Sequence, residues 1–395
     1  MDFAPCVHGG RVDESAELAG KGRSSMLDFS VNLNPLPMPG LGRVLASTVK
    51  QVGEYPDNRY IEFREAAARF AGVSTENIIP VSGSSELIRL FAESVIERGD
   101  RVIIPQPTFD EYECQSRLFG ASVEFVPYAD AACIDPSGAK LLFLCNPNNP
   151  TGTLIARDEL VELAVRCGEA GTFLFIDEAF IELSYAGESM AVLAALNDHV
   201  LVSRSLTKAF AVPGLRAGFG VASSRLSGIL NRSRLTWNLS APASAAGAWM
   251  MKNGSAYLQK SREFIKKERE WLSGRLSLIR GLVPLPGDAC FICVEVGGFC
   301  MDSTELAERM LKNGIIIRDC SSFHSLGRRY IRIAVRKRRD NLRLITAFAS
   351  IVSQWGQELA HEKIDEALRT GYVGSRENCE YYPCHFRGQD CTFCF

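Results

Sequence analysis

The sequence lacks the features that mark secreted and membrane proteins. None of its apolar runs approaches the roughly 18 residues that a membrane-spanning helix needs. The first residues, MDFAPCVHGGRVDES, have neither the basic start nor the apolar core of a secretory signal. A strong excess of charge is also missing, because 44 lysines and arginines stand against 46 acidic residues, a net charge of −2. These absences argue against a membrane or nucleic-acid partner and predict a cytoplasmic protein.

Cysteine, in contrast, is abundant, with 13 residues in a chain of 395. In a chain of this length without a secretory signal, they predict reduced thiols, with metal binding wherever they cluster tightly. The length suits two domains, and a hydrophobic fraction of 46% allows a large core.

Short apolar runs alternate with helical segments over most of the chain. Runs of four to six apolar residues between helices predict a mainly parallel sheet covered on both faces, an α/β fold. A smaller α/β unit with an alternating strand, YIRIAVR, follows a long helical stretch. The predicted divisions are an N-terminal arm that joins the small domain (1–40), a large domain (41–265), a small domain (266–355) and a tail (356–395).

Three strand ends of the large domain each carry a polar residue. LLFLCNPNNPTG places Asn149, TFLFIDEAF places Asp177, and HVLVSRSLTK places Lys208. Ligands of such sheets bind outside the carboxyl ends of the strands, so the three side chains are expected to meet in one crevice. A lysine there can act as an amine nucleophile. Together the three match pyridoxal phosphate (PLP), whose ring nitrogen needs an acid and whose aldehyde needs a lysine.

The phosphate of such a cofactor needs an anion site of its own. The segment SGSSE opens a helix, where free backbone N–H groups favour an anion. An arginine eight residues after Lys208 can add a bidentate contact. The candidates are Ser84 and Ser85 at the helix start, Ser205 and Arg216 on either side of Lys208, and Phe109 for stacking on the ring.

Four ordered motifs, NPNNPTG, DEAF, SLTK and GLRAG, resemble the fold-type I PLP enzymes of the histidinol-phosphate aminotransferase branch. Within that branch, HGG at 8–10, LDFSVNLNPLPM at 27–38 and RSLTKAFAVPGLRAGF at 204–219 resemble the threonine-phosphate decarboxylases of cobalamin synthesis. The resemblance covers about residues 5 to 350. It implies a large domain with a mainly parallel central sheet, a smaller α/β domain and a homodimer.

The resemblance also assigns roles. It implies that Lys208 forms the Schiff base, Asp177 meets the pyridine nitrogen and Asn149 meets the ring oxygen. It implies that Phe109 lies over the ring and that the cofactor phosphate is bound by Ser84, Ser85, Ser205 and Arg216. It places Tyr55 on the neighbouring subunit's cofactor phosphate. The implied substrate-side residues are Arg332 for the α-carboxylate, Arg318 for the substrate phosphate, and His8 and Asn32.

The implied reaction is decarboxylation of L-threonine O-3-phosphate to (R)-1-amino-2-propanol O-phosphate for the corrinoid nucleotide loop. Phe180 favours it, because aminotransferases of this branch typically have a tyrosine there that helps to hold the ring oxygen. Pro37 and Cys290 depart from the family pattern near the expected substrate side. Two alternatives stay open: histidinol-phosphate aminotransferase or a related transaminase, and a non-catalytic binding protein on a PLP scaffold.

The tail ENCEYYPCHFRGQDCTFCF concentrates soft ligands. Cys379, Cys384, Cys391 and Cys394 lie within sixteen residues, which favours zinc or an iron–sulfur cluster. With so little apolar content, a metal is what would fold this segment. The same motif occurs on some threonine-phosphate decarboxylases, where it usually continues further, so a shortened tail is expected.

Each candidate also has a plain structural interpretation. Lys208 alone reads as a surface lysine, Asn149 as a turn residue, and Ser84 and Ser85 as a helix cap. Tyr55 and Phe109 read as core aromatics, and the arginines near residue 330 as a solvated face. The register of the strand-end residues favours the cofactor site.

Overall fold

The computed structural model describes residues 9–299 and 301–370, without the side chains of 356–370. The chain divides into two compact units, residues 1–348 and 349–395. The domain boundaries expected at 40, 265 and 355 remain predictions.

The elements of the described residues alternate between strands and helices in the first unit. The strands are β1 (Leu27–Asp28), β2 (Ile78–Val81), β3 (Arg101–Gln106), β4 (Ser122–Pro127), β5 (Leu141–Cys145), β6 (Phe173–Asp177), β7 (Val200–Ser205), β8 (Gly218–Val221), β9 (Val283–Pro284), β10 (Phe291–Glu295), β11 (Ile315–Ile316), β12 (Arg318–Asp319) and β13 (Tyr330–Ala334). The helices are α1 (Val12–Leu18), α2 (Leu41–Thr48), α3 (Ile61–Ala71), α4 (Ser84–Val95), α5 (Glu111–Leu118), α6 (Arg157–Ala170), α7 (Ala191–Leu196), α8 (Leu206–Ala209), α9 (Ser224–Ser233), α10 (Ala241–Asn253), α11 (Ser255–Leu276), α12 (Ser303–Lys312) and α13 (Arg338–Thr370).

The large sheet has seven strands in the order β2-β8-β7-β6-β5-β3-β4. All its pairings are parallel except those of β8, which is antiparallel to both neighbours. Successive residues of β5 pack into different apolar clusters: Leu142 and Leu144 into one, Leu141 and Phe143 into the other. A strand buried on both faces needs apolar residues at every position, which explains the continuous runs. The predicted α/β fold with a mainly parallel sheet is confirmed.

Strand β8 was not expected from its sequence, because glycines alternate in it and weaken the strand pattern. Close packing explains them. A Cβ on Gly218 would lie 2.8 Å from the backbone oxygen of Arg204, and one on Gly220 would lie 2.9 Å from Cδ2 of Leu87 in α4. Residues larger than glycine would therefore push α4 and β7 away from this strand.

The small sheet has the order β12-β13-β10-β9 and is antiparallel. Its register places Arg318 directly opposite Arg332, with Cys293 on the other side of Arg332. The N-terminal segment, expected to be an irregular arm, contains α1, and its strand β1 pairs in parallel with β11. This pairing connects residues 27–28 to the part of the chain that carries both arginines.

Two further findings bear on the expectations from composition. No helix among the described residues is long and apolar enough to cross a membrane. Cys114 is disulfide-bonded, which departs from the expected set of reduced thiols. The free thiols of the described residues include the buried Cys145, Cys290, Cys293 and Cys320.

Candidate active site

A cavity of about 230 Å³ lies at the carboxyl ends of β5, β6 and β7. It brings together residues from the large sheet, the small sheet and the N-terminal segment. Ten of the residues predicted from the sequence line it: Asn32, Ser84, Ser85, Phe109, Asn149, Asp177, Lys208, Arg216, Arg318 and Arg332.

Asp177 is the last residue of β6 and is buried. The Tyr112 hydroxyl donates a hydrogen bond to its Oδ2 (2.9 Å), and the Ala179 backbone N–H donates one to its Oδ1 (3.1 Å). Burial raises the pKa of Asp177 to about 6, although these hydrogen bonds oppose the shift. A carboxylate in such surroundings is stabilised by a cationic N–H group placed beside it in the cavity.

Lys208 lies in the single-turn helix α8, which directly follows β7. Burial, together with the positive charge of Arg332, lowers the pKa of its ammonium to about 8. Its carbonyl oxygen accepts a hydrogen bond from the backbone N–H of Asn34 (3.1 Å), which ties the N-terminal segment to this helix. A lysine with a lowered pKa is a competent nucleophile and proton carrier near neutral pH.

The start of α4 forms the anion-binding side of the cavity. Ser84 and Ser85 are its first residues, and Gly83 before them has a φ of +85°. A Cβ on Gly83 would lie 2.6 Å from Nη2 of Arg216, so only glycine allows this guanidinium to approach the helix start. Free N–H groups and a guanidinium together suit a phosphate.

The small sheet supplies the cationic wall. Arg332 is buried; its Nη1 donates to Oδ1 of Asn149, and its Nη2 donates to the Ser30 carbonyl oxygen (2.8 Å). Burial lowers the pKa of Arg332 to about 10. Among the described residues, Arg332 Nε and Asn32 Oδ1 are buried without a hydrogen-bond partner. Since both residues line the cavity, an unpaired donor and an unpaired acceptor lie at the same site.

Several predicted residues lie elsewhere. Ser205 is buried and shares a hydrogen bond with Thr207 (2.8 Å between the hydroxyl oxygens), and Thr207 lines the cavity in its place. Tyr55 is 78% exposed, away from this cavity, and stacks on Trp237 with ring centroids 4.2 Å apart. His8 and the tail cysteines 379, 384, 391 and 394 lie outside the described residues. Within those residues, no group of three or more His, Cys, Asp or Glu side chains could hold a metal ion.

The two departures from the family pattern have different positions. Cys290 is buried, and burial raises the pKa of its thiol to about 12. Pro37 is exposed and does not line the cavity, so its expected place near the substrate was wrong. Beside it, the Leu36 N–H donates to Asn34 Oδ1 (3.0 Å), and the Leu36 carbonyl oxygen accepts from Tyr257 Oη (2.7 Å).

Several residues that line the cavity were not predicted from the sequence, among them Tyr112 and Phe323. Tyr112, which holds Asp177, follows Phe109 by three residues in PTFDEY, and helical spacing at the start of α5 was the available signal. Phe323 follows β12 and ends the stretch IIIRDCSSF, but it was not singled out as a site residue.

Comparison with known proteins identifies the class. The family described as Aminotransferase class I and II matches residues 25–348, and the family described as Cysteine-rich small domain matches residues 371–395. The fold and the cavity define a fold-type I PLP-dependent transferase. The chain belongs to the class I and II aminotransferase family.

Relatives with two different activities are similarly close. Histidinol-phosphate aminotransferase 2 of Archaeoglobus fulgidus is 32% identical, over 82% of this chain and 93% of its own. Threonine-phosphate decarboxylase of Salmonella typhimurium is 32% identical, over 88% of this chain and 97% of its own. Histidinol-phosphate aminotransferase of Sinorhizobium meliloti, solved in complex with pyridoxal-5'-phosphate, has a TM-score of 0.80 at 21% identity, over 90% and 96% of the two chains.

Proposed function

We propose that the cavity binds pyridoxal 5'-phosphate through Lys208, whose amine carries the cofactor covalently. Three observations support the fit. Asp177 is a buried carboxylate that a protonated ring nitrogen would neutralise. Lys208 has a lowered pKa, as a nucleophilic amine requires. The start of α4, with Gly83 and Arg216, offers a site for the phosphate.

The remaining cofactor contacts follow from the same cavity. Asn149 would donate to the ring oxygen through its side-chain amide, since its Oδ1 accepts from Arg332. Phe109 would stack on the ring, and Ser84 and Ser85 would bind the phosphate. Ser205 remains a proposed phosphate contact, although in this structure its hydroxyl pairs with Thr207. When bound, the cofactor withdraws electrons from the carbon that carries the substrate's amine.

We propose that the substrate is L-threonine O-3-phosphate and that the reaction removes its carboxylate as CO₂. The observation that carries this proposal is the arginine pair: Arg318 and Arg332 lie opposite each other in the small sheet and line the cavity of Lys208. Two cations at one side of a cavity suit a substrate with two acidic groups. Arg332 would bind the carboxylate, Arg318 the phosphate, and Asn32 and His8 would complete the substrate side.

Two residues of the chain, Arg332 and Lys208, would orient the carboxylate and supply the proton that replaces it. The substrate's amine would first replace Lys208 on the cofactor, which frees the lysine amine. Arg332 orients the carboxylate; the bond between the carboxylate and the α carbon breaks, and CO₂ leaves. As an ammonium, Lys208 would then donate a proton to that carbon, so the product is an amine and no oxidant or amino acceptor is consumed. Because the pKa of Lys208 is about 8, the protonated form needed for this step is present near neutral pH.

Phe180 supports decarboxylation over transamination. It is buried, lines the cavity and packs edge-on against Phe291 with ring centroids 5.1 Å apart. A phenyl ring offers no hydroxyl to the ring oxygen of the cofactor, whereas the aminotransferases of this branch typically have a tyrosine there. The ring oxygen is therefore left to Asn149.

The second candidate is a histidinol-phosphate aminotransferase, favoured by the 32% identical relative from Archaeoglobus fulgidus. Arg318 could bind the phosphate of that substrate as well. Histidinol phosphate has no carboxylate, so Arg332 would then bind the carboxylate of the amino acceptor. A non-catalytic binding protein remains the third alternative.

One assay separates these functions. PLP-loaded protein is incubated with L-threonine O-3-phosphate alone, and separately with histidinol phosphate plus 2-oxoglutarate. We expect CO₂ release in the first reaction and no glutamate in the second. Glutamate formation without CO₂ release would support the aminotransferase, and no turnover in either, with cofactor bound, would support the binding protein.

We propose that the face around Tyr55 is covered by a second copy of this chain, with Tyr55 reaching the partner's cofactor phosphate. Tyr55, Trp237 and Leu235 are 78%, 46% and 75% exposed, an aromatic and apolar patch unusual for a free surface. Sedimentation of the PLP-loaded protein should show a dimer. A Leu235→Glu variant should sediment as a monomer, and an unchanged dimer would contradict the assignment.

We propose that the tail binds zinc or an iron–sulfur cluster through Cys379, Cys384, Cys391 and Cys394. The match of the Cysteine-rich small domain family to residues 371–395 supports this proposal. Elemental analysis should find metal that disappears in the Cys391→Ser, Cys394→Ser variant. We further propose a cytoplasmic location.

A further inference from the structure

The segment between β12 and β13 connects the two strands that carry the cavity arginines. Three consecutive residues of this segment, Ser322, Phe323 and His324, have distinct contacts. Nη2 of Arg318 donates a hydrogen bond to the Ser322 hydroxyl (2.8 Å). The Arg318 guanidinium lies over the Phe323 ring, 5.2 Å from its centroid, and Phe323 is buried in the cavity wall. Two residues of this loop therefore set the position of Arg318.

The third residue, His324, points to the large sheet. Its Nε2 lies 2.7 Å from Oε2 of Glu113 in α5, and its ring centroid lies 4.5 Å from that of Phe125 in β4. Glu113 also accepts from Nε of Arg117, one turn further along α5 (2.6 Å). The loop that holds Arg318 is thus attached to α5 and to β4 of the large sheet.

We propose that the contact of His324 with Glu113 positions Arg318 for the phosphate end of the substrate. This inference rests on the proposed function, in which Arg318 binds that phosphate. Because His324 directly follows Phe323, anchoring its ring on α5 and β4 restrains the two residues that hold the guanidinium. His324 is a positioning residue, and it acts on ligand affinity through Arg318.

The expected effect is moderate and selective. A contact between a carboxylate and a histidine side chain that is 45% exposed stabilises weakly, so its loss should cost about fivefold in affinity. The loss should fall on ligands with a phosphate and spare ligands without one, since only the former meet Arg318. A general disturbance of the fold would weaken both classes.

The test uses PLP-loaded protein and rapid-mixing titration by cofactor absorbance, which records the binding step before any turnover. The probes are L-threonine O-3-phosphate and L-threonine. His324→Leu removes the donor and keeps an apolar group against Phe125, whereas His324→Gln keeps an N–H donor at a similar reach. Arg117→Gln is the matched control, because it removes the ion pair of Arg117 with Glu113 and leaves the contact of His324 with Glu113 in place.

We expect His324→Leu to weaken the binding of L-threonine O-3-phosphate about fivefold and to leave the binding of L-threonine unchanged. His324→Gln should restore most of the affinity, and Arg117→Gln should match the wild type. Tryptic cleavage after the exposed Arg328 and Arg329 should be faster in His324→Leu, because the loop is no longer anchored.

Equal losses for both ligands, no loss, or the same loss in Arg117→Gln would overturn the assignment. If neither ligand binds, cleavage decides: unchanged cleavage of His324→Leu overturns it, and faster cleavage supports the anchor. Because titration and cleavage do not depend on CO₂ release, a failure of the proposed reaction can be told from a failure of this inference.

Discussion

The two walls of the cavity are built differently. The wall from the large sheet places Asp177 and Lys208 at the ends of strands paired along their length, where burial shifts both pKa values toward neutrality. The wall from the small sheet places Arg318 on a two-residue strand and depends on side-chain contacts for its position. The comparison teaches that the groups proposed for bond breaking follow long paired strands, whereas the proposed phosphate-binding Arg318 lies on a short strand and depends on a neighbouring loop.

The walls also touch. Arg332 donates to Asn149, and His324 contacts Glu113, so both arginine-bearing elements are attached to the large-sheet side. Substitutions in the first wall should therefore affect the chemical step, and substitutions in the second should affect which ligand binds.

The largest effect is expected from Lys208→Ala. This change removes both the proposed covalent anchor and the proton donor, so CO₂ release from L-threonine O-3-phosphate should fall at least ~10³-fold. The thermal unfolding temperature of the cofactor-free protein should not fall, since a buried ammonium is lost. A variant with more than a tenth of the wild-type rate would contradict the role of Lys208.

Asp177→Asn tests the electrostatics of the first wall in the cofactor-free protein. The folded protein keeps the Asp177 proton up to about pH 6, whereas the unfolded chain loses it near 3.8. The free energy of unfolding should therefore decrease as pH rises from about 4 to 6, by up to about 3 kcal/mol from this group.

The Asp177→Asn variant should lack the part of this decrease in the free energy of unfolding that comes from Asp177. Denaturant titrations at several pH values measure it, and Glu178, whose pKa burial raises to about 7, is present in both proteins and cancels in the comparison. Parallel pH curves for the two proteins would show that Asp177 is not the source.

Arg318→Gln and Arg332→Lys separate the roles within the second wall. Arg318→Gln should lower kcat/KM for L-threonine O-3-phosphate by about 10²-fold and leave binding of L-threonine unchanged. Arg332→Lys should weaken the binding of both L-threonine O-3-phosphate and L-threonine, because both ligands have the carboxylate. Steady-state kinetics and titration provide the data; identical profiles for the two variants would remove the distinction between a carboxylate and a phosphate arginine.

The smallest effect is expected from Phe180→Tyr. The added hydroxyl would reach toward the ring oxygen and should raise the share of transamination, measured as alanine formed from pyruvate, severalfold from a low level. CO₂ release should change little. An unchanged product ratio would show that Phe180 does not influence the choice of reaction.

The sequence predicts the first wall better than the second. Asn149, Asp177 and Lys208 end or follow apolar strands, and all three line one cavity because parallel strands have their carboxyl ends at one edge. Ser205 shows the limit: its place beside Lys208 in sequence does not decide which hydroxyl faces the cavity, and Thr207 takes that position.

Long-range contacts account for the remaining misses. Strand β8 depends on the tight approach of α4 and β7 to Gly218 and Gly220, which no local pattern records. Likewise, the contact of His324 with Glu113 joins residues 211 positions apart.

The most direct measurement is the isotope balance of the reaction in D₂O. PLP-loaded protein is given L-threonine O-3-phosphate without any amino acceptor, and CO₂ and the amine product are quantified by mass spectrometry. We predict one CO₂ per amine, with one deuterium on the carbon that lost the carboxylate, and neither product in Lys208→Ala. Turnover that requires 2-oxoglutarate and yields glutamate with the carboxylate retained would contradict decarboxylation at this site.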